Sequence, residues 1–324
     1  MNILVTSAGR RVKIIQCLKK AFENTNGNII AADCDKNAPA LYFADSFELV
    51  PRIDNNEYLN SILSLCKKHN ITAIISLIDP ELEVLAMNKN AFDRINVELI
   101  LSPLNLIQYT FDKQKTYNYL SDLGIPTVPT YSRISNVETL LSRKHMTFPL
   151  VVKPGKGSAS NGIEIVKNIK ELKHAFSSDE NLIIQPFYKD CEYGIDVYID
   201  MIDGHLVDMF IKEKITMRSG ETDKSVSVHI KEVEELVSDL ISKTNFRGPI
   251  DIDCFLFQGK YYISEINPRF GGGYPHAYEM GSDFMEYIVN NLKGNVNSKF
   301  NGYRYETGYV MMKYDNVILI NDEV

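Results

Sequence analysis

The chemistry-bearing residues concentrate in Glu265-Ile266-Asn267-Pro268-Arg269, which follows a hairpin-like stretch from Ile250 to Ser264. Successive strand side chains point to opposite faces, so Glu265 and Asn267 share one face while Ser264 and Ile266 share the other. On the incoming strand Ile250, Ile252, Cys254 and Leu256 form an apolar row suited to a core, leaving Asp251 and Asp253 on the opposite side. The turn decides whether these oxygens meet. A two-residue loop at Gln258-Gly259 would pair Asp253 with Ser264 and separate the carboxylates. A three-residue loop Phe257-Gln258-Gly259, with glycine in the left-handed position, restores the parity, and this register is expected. Carboxylates crowded on one face repel unless a cation sits among them, and all-oxygen ligands suit Mg²⁺ carrying a nucleotide's phosphates. Arg269 could clamp a phosphoryl oxygen. The same residues would also suit a solvated hairpin edge.

The elements that must position this group run through the whole chain. In the first hundred residues, Ile3 to Thr6, Asn28 to Ala32, Ala73 to Ser76 and Glu98 to Leu101 read as short apolar strands. Helical stretches lie around Val12 to Phe22 and Tyr58 to His69. This alternation predicts an α/β layered domain with a mostly parallel sheet. Thr6-Ser7-Ala8-Gly9-Arg10-Arg11 opens the first helix and reads either as an anion dock or as a plain tight turn; the GxGxxG spacing of a dinucleotide fold is absent. Asp79, Glu81 and Glu83 follow the third strand, where open α/β sheets place ligands, and an acidic helix start explains them as well.

Lys113 opens a helix to Leu123, and Phe148 to Lys153 forms a strand whose end carries a lysine. The loop Pro154 to Gly162 holds three glycines and two serines between two strands. It would fold over a triphosphate or serve as a flexible hairpin tip, and it is not a Walker A loop, which would run into a helix. Leu182 to Phe187 is an apolar strand entering a proline. A connection between lobes after Gln185 would leave backbone groups for adenine, and Glu192 would accept a ribose hydroxyl or sit as an exposed turn residue. The charged run Lys212 to Glu221 is the candidate for substrate choice, with Arg218 gripping an acid or the triphosphate, or lying on a solvated strand pair. The loop Phe270 to Tyr274 is expected to line the acceptor pocket.

In this order the pieces resemble the ATP-grasp superfamily, and within it short single-copy proteins similar to the carbamoyl phosphate synthase large subunit. The resemblance covers nearly the whole chain. It rests on Asp112-Lys113, the VVKP strand end at Lys153, the glycine-serine loop, Gln185 with Glu192 seven later, and Asp253 ahead of EINPRFGGG. It implies a Rossmann-like domain over 1–107, a small ATP-grasp lobe over 108–184 and a large lobe over 185–324. Lys113, Lys153, Gly157, Ser158, Gln185, Pro186, Phe187, Tyr188 and Glu192 would then hold ATP, and Asp253, Glu265 and Asn267 would hold Mg²⁺, with Mn²⁺ an admissible substitute. Arg269, Lys153 and Arg218 would serve catalysis. The implied reaction is ADP-forming: a carboxylate becomes an acyl phosphate that an amine captures. A nucleotide-binding sensor or scaffold without ligation is the alternative class. One copy without an internal repeat argues against carbamoyl phosphate synthesis itself.

Composition sets ordinary bounds. The 324 residues are 44% hydrophobic and 24% charged, as in globular proteins, and a net charge of −7 disfavours nonspecific nucleic-acid binding. Five scattered cysteines without a CxxC pair are expected to be reduced and buried, and six scattered histidines carry no nucleophile motif. No apolar run would span a bilayer, no secretory signal is read, and a cytoplasmic protein, with a homo-oligomer compatible, is expected. Its partners would be small-molecule carboxylates and amines.

Overall fold

The computed structural model describes residues 1–157, 162–176, 181–189 and 191–321. Strands β1 (Asn2–Thr6), β2 (Ile29–Asp33), β3 (Ser46–Leu49), β4 (Ile71–Ser76) and β5 (Glu98–Leu99) form a parallel sheet in the order β3-β2-β1-β4-β5. Helices α1 (Val12–Phe22), α2 (Tyr58–Lys68), α3 (Asp79–Met87) and α4 (Lys89–Asp93) connect them. Ile3 and Val5 point into one core with α1, and Leu4 and Ile30 into another with α2. Both faces are thereby covered, as a parallel sheet requires. The sequence reading missed β3, a short edge strand whose side chains are mostly exposed and so lack an apolar run. It overran β5 by two residues, because the chain turns there towards Ser102 and α5 (Leu104–Thr110).

Helix α6 (Lys113–Asp122) starts where expected. Its N-cap Asp112 accepts from the backbone N–H groups of Gln114 and Lys115, satisfying donors that the first turn leaves open. Beyond it, α7 (Ile134–Ser142), β6 (Leu150–Pro154), β7 (Glu164–Val166), α8 (Ile169–Phe176) and β8 (Leu182–Pro186) build a small lobe around a three-stranded antiparallel sheet, β7-β6-β8. Val137, Leu150, Val166, Leu172 and Ile184 form its core.

The large lobe holds β9 (Glu192–Ile199), β10 (Leu206–Arg218), β11 (Glu221–Ser227), α9 (Lys231–Lys243), β12 (Gly248–Phe257), β13 (Lys260–Asn267), α10 (Tyr274–Glu279), α11 (Phe284–Leu292) and β14 (Val310–Met312). Its strands form one sheet, β13-β12-β9-β10-β11-β14. One face packs on α9: Ile195, Val197, Met209, Ile211, Ile250, Ile252 and Cys254 meet Val233, Val237 and Leu240. The intervening residues therefore face the other way, and they are Asp196, Lys212, Lys214, Asp251 and Asp253.

The hairpin register corrects the loop expected from sequence. The turn has two residues, with Phe257 opposite Lys260, and Gln258 and Gly259 both at positive φ (50° and 74°). Such a turn matches the right-handed twist of the strands. Parity is restored elsewhere: Cys254 pairs with Ile263 and Asp253 with Glu265, so Ser264 is the extra residue of a β-bulge. The bulge puts Glu265 and Asn267 on the face of Asp253 and Asp251, and keeps Ile263 and Ile266 in the core.

No disulfide joins the cysteines; Cys17, Cys66 and Cys254 are buried, but Cys34 and Cys191 stand at the surface, contrary to the expectation for all five. Among the described residues no helix is long and apolar enough to cross a membrane.

Candidate active site

The charged face of the large sheet meets the small lobe and the parallel domain at a cleft of about 300 Å³. Lys113, Lys153, Gly157, Glu192, Asp253, Glu265, Asn267 and Arg269 all line it. Lys113 is fixed from both sides. Its backbone N–H donates to the Gly155 carbonyl at 2.9 Å, and its ammonium donates to the Gly157 carbonyl at 2.7 Å while standing 3.8 Å from Glu265. The first helix of the small lobe is thus tied to the glycine loop. Ser158 lies outside the described residues.

Lys153, at the end of β6, has its ammonium pKa lowered, first by burial, against the raising pull of Glu265 and with Lys113 adding repulsion. Burial likewise raises Glu265, with Lys113 opposing and Asp253 adding to the rise. Asp251 is pushed up to about 7 by burial and then by its neighbours Asp253 and Asp196. A face that raises its own carboxylates is short of positive charge, and two carboxylates with the Asn267 amide oxygen suit a hard cation. Among the described residues no three His, Cys, Asp or Glu side chains form a complete metal cluster. The donor set therefore fits an ion that takes its other oxygens from phosphates and water, the usual habit of Mg²⁺.

Two lysines that the sequence reading placed in a charged run are in fact buried here. Lys214 donates to Glu192 at 2.7 Å and to Asp253 at 2.5 Å. Lys212 pairs with the buried Asp196. Strand alternation along β10, anchored on buried Met209 and Ile211, was the signal that could have found them. Glu192 is accordingly an ion-pair partner as well as a lining residue, and burial raises its carboxyl while Lys214 opposes.

Arg269 is buried, with Nη2 donating to Asp79 at 2.6 Å and Nη1 to the Phe270 carbonyl at 2.9 Å. Among the described residues its Nε and Asp79 Oδ1 find no partner. Asp79 thus serves the cleft, whereas Glu81 does not. It is wholly buried and accepts from the hydroxyls of Thr6, Ser7, Ser76 and Tyr58, which satisfies it within the parallel domain. Glu83 accepts from Gln108 at 2.8 Å. At the first helix entrance the Gly9 N–H donates to Asp33 at 2.8 Å, so a carboxylate of the chain already takes that donor.

Four expected nucleotide contacts and one catalytic residue do not line the cleft. Gln185 is buried and donates to Thr130 at 2.8 Å. The Phe187 N–H donates to the Pro149 carbonyl at 3.3 Å, so it is engaged in the small lobe. Pro186 ends β8 beside them, and the Tyr188 ring stacks on Phe257 at 4.3 Å, within the aromatic surface of the hairpin. Arg218 stands at the tip of the β10–β11 hairpin, half exposed, paired with Asp223 at 2.9 Å and Asp315 at 3.0 Å. Its charge is spent on these carboxylates, because the bulge after Lys214, where Ile215 has no partner on β11, breaks the alternation that would have turned it inward.

The glycine run packs directly on charged side chains. A Cβ on Gly271 would stand 2.4 Å from the Asp251 carboxyl carbon, one on Gly272 would stand 2.7 Å from Glu221, and one on Gly273 would stand 2.6 Å from Lys212. Only glycine lets this loop lie so close to the charged floor.

Comparison with known proteins agrees with this geometry. Residues 3–100 match the PylC-like N-terminal domain, and residues 110–273 match the ATP-grasp domain. The chain is 24% identical over 259 residues to a carbamoyl-phosphate synthase of Methanobrevibacter smithii, covering 75% of this chain and 68% of that protein. It is 26% identical to a formate-dependent phosphoribosylglycinamide formyltransferase of Bacteroides fragilis, over 75% of this chain and 64% of the relative, so part of that relative has no counterpart here. The fold superposes on N5-carboxyaminoimidazole synthetase of Staphylococcus aureus complexed with ADP, with a TM-score of 0.72 and 16% identity, covering 92% of this chain and 78% of that one. With the ATP-grasp match spanning just over half of its residues, the chain belongs to the ATP-grasp family.

Proposed function

We propose that this protein is an ATP-dependent, ADP-forming ligase that activates a carboxylate as an acyl phosphate and joins it to an amine. The observation that carries this reading is the convergence of Lys113, Lys153 and Arg269 with Asp253, Glu265 and Asn267 on one cleft. The name of one relative, a formate-dependent phosphoribosylglycinamide formyltransferase, supports the choice of a carboxylate.

Lys113 and Lys153 hold the phosphates, with Lys113 itself held by the Gly155 and Gly157 carbonyls. Asp253, Glu265 and Asn267 are the residues that would hold Mg²⁺, which when bound offsets the negative charge of the triphosphate. A carboxylate oxygen of the substrate attacks the γ-phosphorus, and the bond to the bridging oxygen breaks with ADP as leaving group. Arg269 stabilises charge on the transferred group, and phosphoryl transfer depends on such positioning and neutralisation more than on a dedicated base. Water must be excluded, because an acyl phosphate hydrolyses. The amine then attacks the acyl carbon and inorganic phosphate departs. Glu192 is placed at the cleft to accept a ribose hydroxyl beside its bond to Lys214.

The test supplies Mg-ATP, hydroxylamine and a library of amino acids and sugar acids. One acid should yield a hydroxamate together with ADP. AMP would mean an adenylate intermediate and remove the acyl-phosphate route; tight Mg-ATP binding with neither product would favour a binding protein.

A further inference from the structure

At the end of the cleft away from Lys153, three cations from two parts of the chain converge on one carboxylate. Glu221, at the start of β11, faces Arg11 Nε at 3.3 Å, Arg10 Nη2 at 3.4 Å and Lys313 Nζ at 3.1 Å. Arg10 and Arg11 come from the entrance to α1 and Lys313 follows β14. Arg11 and Glu221 line the cleft, while Arg10 and Lys313 back them from behind. Arg269 is the next cation along, paired with Asp79 and keeping an unpartnered Nε among the described residues. Among the described residues Arg10, Arg11 and Lys313 share the single carboxylate Glu221 as ion-pair partner, while Arg269 is held separately by Asp79.

That surplus is half buried, where a charge without a partner is costly. The cost is visible on the side chains. Burial lowers the Arg11 guanidinium, with Glu221 opposing and Arg269 and Arg10 adding repulsion. Burial also lowers Lys313, against the pull of Glu221 and with Arg11 and Arg10 adding repulsion. Gly272 preserves the arrangement, since any Cβ there would displace Glu221 from its cations.

We propose that this end of the cleft binds a second anionic group of the acid substrate, a carboxylate or a phosphate, so that the protein selects acids carrying one negative group beyond the carboxylate it activates. The inference rests on the ligase reading for the words "acid substrate"; the anion pocket itself does not. The group activated must lie by Lys153 and the carboxylates of β12 and β13. Arg11 is a separate guanidinium that lines the cleft beside Glu221, suited to bidentate contact with a carboxylate or phosphate. Glu221 holds the cations in place and sets the strength of the site by offsetting part of their charge.

Protein saturated with Mg²⁺ and a non-hydrolysable ATP analogue with a β,γ-imido bridge, so that the γ-phosphate position is filled as well, is titrated by calorimetry at low ionic strength with glutarate, inorganic phosphate and, as the singly charged control, butyrate. Glutarate or phosphate should bind at least tenfold more tightly than butyrate, and which of the two does so identifies the group. Arg11→Met should weaken that binding about tenfold. Glu221→Gln should strengthen it about threefold, a direction that a purely structural carboxylate would not give. Melting temperature and Mg-ADP affinity serve as folding controls, and Lys313→Met replaces either variant that fails them, with about a threefold loss expected. Equal binding of butyrate and both dianions, or indifference to the substitutions, overturns the proposal. Persistence of the anion binding in a protein that forms no hydroxamate with any acid would instead remove the ligase reading and leave the pocket standing.

Discussion

The parallel sheet of the first domain and the large antiparallel sheet use similar apolar residues to opposite ends. In the former, all five residues of β2 are buried and both faces are covered by apolar side chains. In the latter, β12 alternates Ile250, Ile252 and Cys254 against Asp251 and Asp253, so one face holds the lobe together and the other carries charge. The contrast teaches how the molecule divides its work. Burying ions is unfavourable unless they are paired, and Lys212 with Asp196 and Lys214 with Asp253 show the pairing that makes such a face tolerable. Substitutions in the two sheets should therefore fail differently.

The largest effect belongs to the charged face. Glu265→Gln should lower turnover roughly 1000-fold, the scale of losing one organised electrostatic group, while leaving the melting temperature within a few degrees. Single-turnover ADP release measures it, and substantial turnover in the variant would break the assignment of roles to the two sheets. Next comes Leu4→Ala in the parallel sheet. It should cost about 3 kcal/mol of stability as a buried leucine truncation, read by urea unfolding, with turnover per folded molecule unchanged. A loss of turnover without a loss of stability would show that this sheet too serves the chemistry directly.

Acid should act on the large lobe through His276. The imidazole is buried on α10 against Phe210 and Ser225, and its pKa falls to about 4, first through burial and then through the charge of Lys212. Free histidine titrates near 6.5, so between these values the unfolded chain binds a proton that the folded chain refuses. The contribution of His276 to stability should be full above about pH 6.5 and fall by about 2 to 3 kcal/mol as pH drops towards 4, against an opposite contribution from Asp251, whose raised carboxyl takes up its proton in the folded chain over the same range. His276→Gln should flatten that part of the profile in denaturant titrations; an unchanged slope would place the acid sensitivity elsewhere. The smallest effect is reserved for Arg218→Ala. Solvent-screened ion pairs such as its bonds to Asp223 and Asp315 contribute little, and ADP formation should stay within twofold. A large loss of turnover would return Arg218 to the site and sharpen the boundary of the charged face.

Much was legible in the chain itself. Apolar periodicity placed α1, α2 and β4, because each buries a full stripe or run, and the alternation from Ile250 onward assigned Asp251 and Asp253 to the face opposite the core. The order of Lys113, Lys153, Asp253 and the Glu265 to Arg269 segment carried the family, since Lys113 opens a helix, Lys153 stands at a strand end and Asp253 and Glu265 sit in an alternating hairpin, all with strong local signals. Other features needed the tertiary structure. Whether parity was restored by a longer turn or by a bulge at Ser264 depends on packing Ile263 and Ile266 against α9, which no local preference encodes. The roles of Arg11, Glu221, Lys313 and Asp79 were decided only when segments up to some three hundred residues apart met at one cleft. Arg218 shows the converse. Its charge is written in the sequence, but the direction in which a side chain points after a bulge is fixed by strand pairing alone.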